Sequence, residues 1–198
     1  VFVGIGLGPD NKLGVPGEDG EGVVGAVHYI ERIKSDASLS LDGIETAIIV
    51  GAGNTAIDVA RELALLGVKN VSMVYRKSEK EMSGYVHEMY GARTEDVRLV
   101  EYRQPVAVER DGSGKVTGLR VSKTNGEGEE VLACDLIAIA IGQARLTKLA
   151  EAFEGVKLDA KGRVVVDPAT SRTGHPKVYA GGDCVNGGAE VVNAAQHG

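Results

Sequence analysis

The run Thr46-Ala47-Ile48-Ile49-Val50 leads directly into Gly51-Ala52-Gly53-Asn54-Thr55-Ala56. An unbroken apolar run of this length is the pattern of a strand buried on both faces, as in a parallel sheet. After the glycines, Ala56, Val59, Ala60, Leu63 and Leu66 recur at helical spacing. Asn54 is placed to cap that helix and Gly67 to stop it. Val71-Ser72-Met73-Val74-Tyr75 then reads as a second strand. Strand, helix and strand within about thirty residues form the minimal parallel crossover, so the chain is expected to be α/β.

The glycine segment is a G-x-G-x-x-A dinucleotide-binding fingerprint, in the context that such a motif requires. Gly51 permits the tight turn, and Gly53, having no Cβ, lets backbone approach a pyrophosphate. Ala56 is small enough for the helix to pack closely on the sheet. Gly51, Gly53, Asn54 and Thr55 are therefore expected to hold the pyrophosphate, where free amides and the helix dipole favour an anion. At the end of the second strand an NAD site usually offers an acid, about 20 residues after the glycines. This chain offers Tyr75-Arg76-Lys77. A guanidinium grips a 2′-phosphate that a carboxylate would repel, so Arg76 and Lys77 point to NADP(H), with Glu79 and Glu81 close enough to blunt the preference.

Elsewhere, residues 1–27 read as glycine-rich loop, Ala26 to Lys34 as a short helix, and Glu79 to about Ala92 as a charged, weakly helical stretch. Val97–Tyr102, Val106–Glu109 and Val116–Ser122 read as strands separated by turn signals such as Asn125-Gly126. Asp135 to Ile141 is a further buried strand ended by Gly142, where the nicotinamide half of a dinucleotide can lie close to backbone. Leu146 to Phe153 is expected to be helical. Val156–Leu158 and Val164–Val166 are expected to pair as a hairpin, Val178–Ala180 to be a strand, and the tail from Ala189 to be helical.

Composition narrows the classes. Hydrophobic residues are 43% and charged residues 25%, as in ordinary globular proteins. The net charge of −6, the absence of a basic run and only 4% aromatics argue against nucleic acid. No run approaches the ~20 apolar residues that cross a bilayer, so no membrane partner is expected. Cys134 and Cys184 form no C-x-x-C or zinc spacing. They read as buried small hydrophobes, no metal site is expected, and the cytoplasm is the expected location. His28, His87, His175 and His197 have no partner at catalytic spacing, so no catalytic acid or base is assigned. Hydride transfer needs none.

Several segments together resemble the flavoprotein part of dihydropyrimidine dehydrogenase and the small subunit of bacterial glutamate synthase. These are Val1–Gly8 with Gly14-Val15-Pro16-Gly17-Glu18, the fingerprint, Val74-Tyr75-Arg76-Lys77-Ser78, Ala140-Ile141-Gly142-Gln143, and Tyr179-Ala180-Gly181-Gly182-Asp183. They occur in the family's order across nearly the whole chain. The resemblance implies FAD and NAD(P) domains of the disulfide-reductase type, the second inserted into the first. Residues 1–43 would be the end of the FAD domain and a linker, 44–143 the NAD(P)H-binding domain, and 144–198 the return to the FAD domain. The expected fold is a Rossmann-like dinucleotide-binding domain with a parallel sheet and an antiparallel β-meander, flanked by remnants of a second, FAD domain.

The resemblance also assigns Gly182 and Asp183 to the flavin, the Asp accepting a hydroxyl of its ribityl chain. By the same resemblance a helix starting near Gly188–Val191, with Glu190 and Val191 at its head, would point its N-terminal amides at the flavin's pyrimidine edge. The family's own FAD glycine motif and iron–sulfur segment have no counterpart in these residues. The expectation is therefore a piece of a longer parent that binds NADP(H) but holds FAD weakly, with iron–sulfur clusters in a missing segment or partner. In the parent, electrons would pass from NADPH through FAD to those clusters and on to a pyrimidine or to the imine precursor of glutamate. Its partners would be other domains or a catalytic subunit. The absence of a C-x-x-C or C-x₄-C pair gives no support for disulfide exchange. Two other readings stay open: a non-catalytic NADP(H)-binding module, and a small NADP-dependent dehydrogenase, which would need an acid–base pair not evident here.

Overall fold

The computed structural model describes residues 1–197. In chain order they form β1 (Phe2–Val3), β2 (Val23–Gly25), α1 (Ala26–Ser35), β3 (Thr46–Val50), α2 (Asn54–Leu65) and β4 (Asn70–Val74). A 3₁₀ turn (Glu79–Glu81) precedes α3 (Val86–Thr94), β5 (Arg98–Val100), β6 (Arg103–Arg110), β7 (Val116–Lys123), β8 (Glu129–Ala133) and β9 (Leu136–Ile139). The chain finishes with α4 (Thr147–Glu151), β10 (Tyr179–Ala180), α5 (Asp183–Asn186) and α6 (Val191–His197). It divides into two compact units, Asp10–Gly142 and Val1–Pro9 with the residues from Gln143 onward.

In Asp10–Gly142 a parallel sheet runs in the order β2-β9-β3-β4-β5, beside an antiparallel sheet β6-β7-β8. The reason β3 is apolar throughout lies in the layers. Ala47 and Ile49 pack with Tyr29 of α1 and with Ala56, Val59, Ala60 and Leu63 of α2. Ile48 and Val50 point the other way, onto Val108, Val116, Leu119 and Val121 of the meander, as the alternation of strand side chains requires. Ile49, Ile57 and Leu63 are fully buried, each contributing about 1.5–3 kcal/mol of burial. After Leu65 the helix ends as expected: Gly67 adopts φ +98, its amide bonds Ala64, and the Val68 amide bonds Leu63, the pattern of a glycine C-terminal cap.

The unit reaches further toward the N-terminus than the expected start near Ile44. Residues read as loop include β2, whose Val23 is in register with Ile137 of β9. The Gly14–Glu18 motif docks this segment on the meander. The buried Glu18 carboxylate accepts the Leu13 and Gly14 amides at 2.6 and 2.7 Å, and the Pro16 carbonyl accepts the Val108 amide at 2.8 Å. Strand β8 was not expected either. Its Glu129-Glu130-Val131 start is exposed, so this edge strand carries no apolar alternation to read. The single helix expected over 79–92 is broken at Ser83-Gly84, for a reason given below.

In the other unit β1 and β10 pair in parallel, Phe2 with Tyr179 and Val3 with Ala180. Val3, Ala150, Val164, Val178, Ala180 and Cys184 form its core. The expected hairpin reduces to one bridge, Leu158 with Val164, closed by the Val165 amide on the Lys157 carbonyl. The helix expected over 146–153 is shorter, and the tail helix starts at Val191.

Candidate functional site

Strand β3 sits where the order of the parallel sheet reverses, with β4 and β5 on one side and β9 and β2 on the other. Ligands of open α/β sheets bind at the carboxyl ends of strands at such a point. The two fingerprint glycines meet different surroundings there. Gly51 has φ +139 and a Cβ would overlap the Ala140 carbonyl oxygen, so the neighbouring strand already demands glycine. Gly53 is extended, with φ −93 and ψ 178, and a Cβ on it would meet only Ser83 Oγ, at 3.4 Å. That open cradle fits a pyrophosphate. The carbonyl of Gly53 accepts the Ala56 and Ile57 amides at 3.0 and 3.1 Å. Among the described residues no acceptor meets the amides of Asn54 and Thr55.

Asn54 is not the helix cap. Gly53 holds that position, its extended backbone standing before the first helical turn. The Asn54 side chain instead accepts the Tyr85 amide at 2.8 Å. The Gly84 amide donates to the Ala52 carbonyl at 3.0 Å. The Gly84 and Tyr85 amides thus bond the fingerprint instead of carbonyls one helical turn back, which interrupts the helix expected over 79–92, and a Cβ on Gly84 would lie 2.6 Å from Ile57 Cδ1. The segment Ser83-Gly84-Tyr85 is thus strapped over the fingerprint, and the sequence reading missed it. The only signal available was a glycine interrupting a charged, weakly periodic stretch.

Arg76 and Lys77 follow β4. The Arg76 guanidinium is exposed and meets no carboxylate among the described residues. The Thr124 hydroxyl donates to its carbonyl at 2.6 Å, and the Arg103 amide to the Tyr75 carbonyl at 2.9 Å, so the meander fixes this loop. Lys77 pairs with Glu81 at 3.2 Å. The Ser78 hydroxyl and amide and the Lys77 ammonium hold the Glu81 carboxyl below the usual carboxylate range. Glu79 is engaged by Arg93 at 2.6 Å. The neighbouring acids are therefore occupied, and Arg76 and Lys80 are the cations of this loop left without a carboxylate partner among the described residues. Gly142, beyond β9, has φ +94 and open space where a Cβ would be, its nearest neighbour Asn11 Nδ2 at 3.7 Å. A cavity of about 670 Å³ lies away from these residues. It is lined by the loops that precede β3 and β4, among them Leu39, Leu41, Ile44 and Val68.

In the other unit Gly182 has φ +71 and precedes α5. Asp183 Oδ1 accepts the Ala189 amide at 3.1 Å, leaving Oδ2 without a partner among the described residues. His197 Nδ1 accepts the Gly182 amide at 3.0 Å, a contact invisible in the sequence. Glu190 and Val191 are exposed at the start of α6, and the Glu190 amide is taken by the Asn193 side chain at 3.1 Å. Both thiols are free and buried. Desolvation pushes Cys134 up to about 12 and Cys184 upward as well, so neither is poised as a thiolate. Among the described residues no group of His, Cys, Asp or Glu is arranged to hold a metal ion, and no helix is long and apolar enough to cross a membrane.

The sequence profile of the pyridine nucleotide-disulphide oxidoreductases matches residues 1–198. The chain belongs to this family. Among curated relatives, the small chain of NADPH glutamate synthase from Escherichia coli (strain K12) is 29% identical over 226 residues, covering 100% of this chain and 48% of that one. The NAD-dependent dihydropyrimidine dehydrogenase subunit PreT from the same strain is 33% identical over 200 residues, covering 100% and 44%. The NADP(+)-dependent formate dehydrogenase subunit beta of Moorella thermoacetica is 31% identical over 215 residues, covering 100% and 30%. The chain spans less than half the length of these relatives. The crystal structure of T. acidophilum thioredoxin reductase shares the fold, with a TM-score of 0.82 at 25% identity over 99% of this chain and 61% of that one. The expected resemblance and the α/β fold with parallel and antiparallel sheets are borne out.

Proposed function

We propose that this chain is the NAD(P)H-binding part of a flavin-dependent oxidoreductase and that it uses NADPH. The observation that carries the reading is the bare start of α2: two unpartnered amides beside a glycine whose Cβ direction is open. In this reading the amides of Asn54 and Thr55 bind the pyrophosphate, and Gly51 and Gly53 let backbone reach it. Gly142 leaves room for the nicotinamide half. The relatives' names include both NAD and NADP enzymes, so the choice rests on this chain's own residues. Arg76, free of carboxylates, grips the 2′-phosphate, and Lys77 adds less because Glu81 holds it.

When bound, the dinucleotide supplies the hydride. The chain's residues orient it and neutralise its phosphates, which is the protein's share in cofactor chemistry. We assign Gly182, Asp183 through its free Oδ2, and the Glu190–Val191 helix start to FAD. Residues 10–142, the compact unit that carries the fingerprint, serve the dinucleotide, and 1–9 with the residues from 143 onward belong to the flavin domain. Onward electron flow would run to iron–sulfur clusters in another segment or partner, and the final substrate would be reduced in another domain or a catalytic subunit. The two buried free thiols fit a reducing compartment such as the cytoplasm.

The test is a calorimetric titration with NADPH and NADH, beside a visible spectrum and a ferricyanide assay of NADPH oxidation with added FAD. NADPH binding tighter than NADH is the expected result. Equal affinity would remove the 2′-phosphate assignment, and no binding of either would remove the reading. Tight stoichiometric flavin with turnover in these residues alone would show that the flavin site lies elsewhere than at Gly182 and Asp183.

A further inference from the structure

We propose that the Ser83 hydroxyl is a further ligand of the dinucleotide's diphosphate, acting beside the Asn54 and Thr55 amides. This rests on reading the start of α2 as the dinucleotide site. Among the described residues, and Gly53's chain neighbours apart, Ser83 Oγ is the one atom near the place where a Gly53 Cβ would stand, at 3.4 Å. A phosphate oxygen entering that space comes within hydrogen-bond reach of the hydroxyl. The hydroxyl has no partner among the described residues and is exposed. Phosphate oxygens only accept, so Ser83 donates.

The backbone beside Ser83 is held in place. On one side Gly84 donates to the Ala52 carbonyl, and a side chain there would run into Ile57. On the other, the Tyr85 amide is held by the Asn54 side chain, which is thereby committed to the strap and not to the ligand. Helix α3, which continues the strap, is tied to α2 by Arg61, paired with Glu88 and Glu95 at 2.8 Å each. A hydroxyl carried on backbone so fixed has only its own rotamer to lose on binding. Ser83 stands over Gly53, whereas Arg76 follows β4. Ser83 thus addresses the part common to NADPH and NADH, and Arg76 the part that differs.

The experiment compares wild type, Ser83→Ala and Ser83→Thr by calorimetric titration with NADPH and with NADH, alongside thermal melting. Ser83→Ala is expected to weaken both dinucleotides about tenfold, with an unchanged melting temperature. Ser83→Thr, which keeps the hydroxyl, is expected to restore most of the loss. Unchanged affinity in Ser83→Ala would overturn the assignment while leaving the site reading intact. A loss confined to NADPH would overturn it too, by putting Ser83 at the 2′-phosphate. Wild-type protein that binds neither dinucleotide would overturn the site reading and this assignment with it.

Discussion

Helices α1 and α2 start at the same edge of the same parallel sheet, each after a glycine in extended conformation with no capping side chain of its own. At α1 the amides of Val27 and His28 are met by the Asp10 carboxylate, both at 3.2 Å. Gly25 is required there because a Cβ would overlap that carboxylate. At α2 nothing described meets the amides of Asn54 and Thr55, and the space beside Gly53 is open but for Ser83. A helix start carries partial positive charge and unpaired donors. One start is satisfied by the chain's own anion, the other is left for an anion from outside. A glycine before a helix therefore does not by itself mark a ligand site, and what stands over it decides.

The sharpest way to break this comparison is Gly53→Val. The backbone there tolerates a side chain, so the fold is expected to survive, as circular dichroism will check. NADPH affinity is expected to fall more than about a hundredfold, since several charge-assisted hydrogen bonds of roughly 1.5–3 kcal/mol each are blocked. Normal affinity in a folded variant would sink the site. Its counterpart, Gly51→Ala, has the opposite profile. The residue would be strained at positive φ and pressed on Ala140, costing roughly 2–4 kcal/mol of stability in a denaturant melt.

Next in size is Arg76→Ala with Lys77→Ala. NADPH binding is expected to weaken by about one to two decades while NADH changes little, most of the effect coming from Arg76. Parallel losses in the two titrations would refute a 2′-phosphate contact.

At the satisfied helix start, Asp10→Ala is expected to lower stability by about 0.5–2 kcal/mol and leave dinucleotide affinity alone. A change in affinity would mean that the two helix starts are not independent. The smallest effect concerns Glu95. Hydrogen bonding from Arg61 holds its carboxyl below the usual range. A folded pKa lowered in this way gives stability that is present above the unfolded value near 4.5 and is lost as pH falls through the folded value. Glu95→Gln should therefore flatten the acid side of the stability profile by up to about 1 kcal/mol, an effect that melts recorded between neutral and acid pH will measure.

The sequence by itself determined the unit Thr46 to Val74. Its strand, turn, helix and glycine stop are marked by the apolar run, the glycines and the helical spacing of its own residues, and β3 and α2 appear where those residues predict them. The same holds for the position of Arg76 at the end of β4. Only the tertiary structure decided that β2 joins β9, that Glu18 folds its loop onto the meander, and that the strap at Ser83–Tyr85 lies over Gly53. It also decided that Glu79 is taken by Arg93 while Arg76 is free, that Asn54 serves the strap, and that Asp10 closes one helix start while the other stays open. Periodicity and turn residues report local backbone preferences. Which polar group meets which is set by chain segments far apart in sequence, and a single sequence carries no local trace of that.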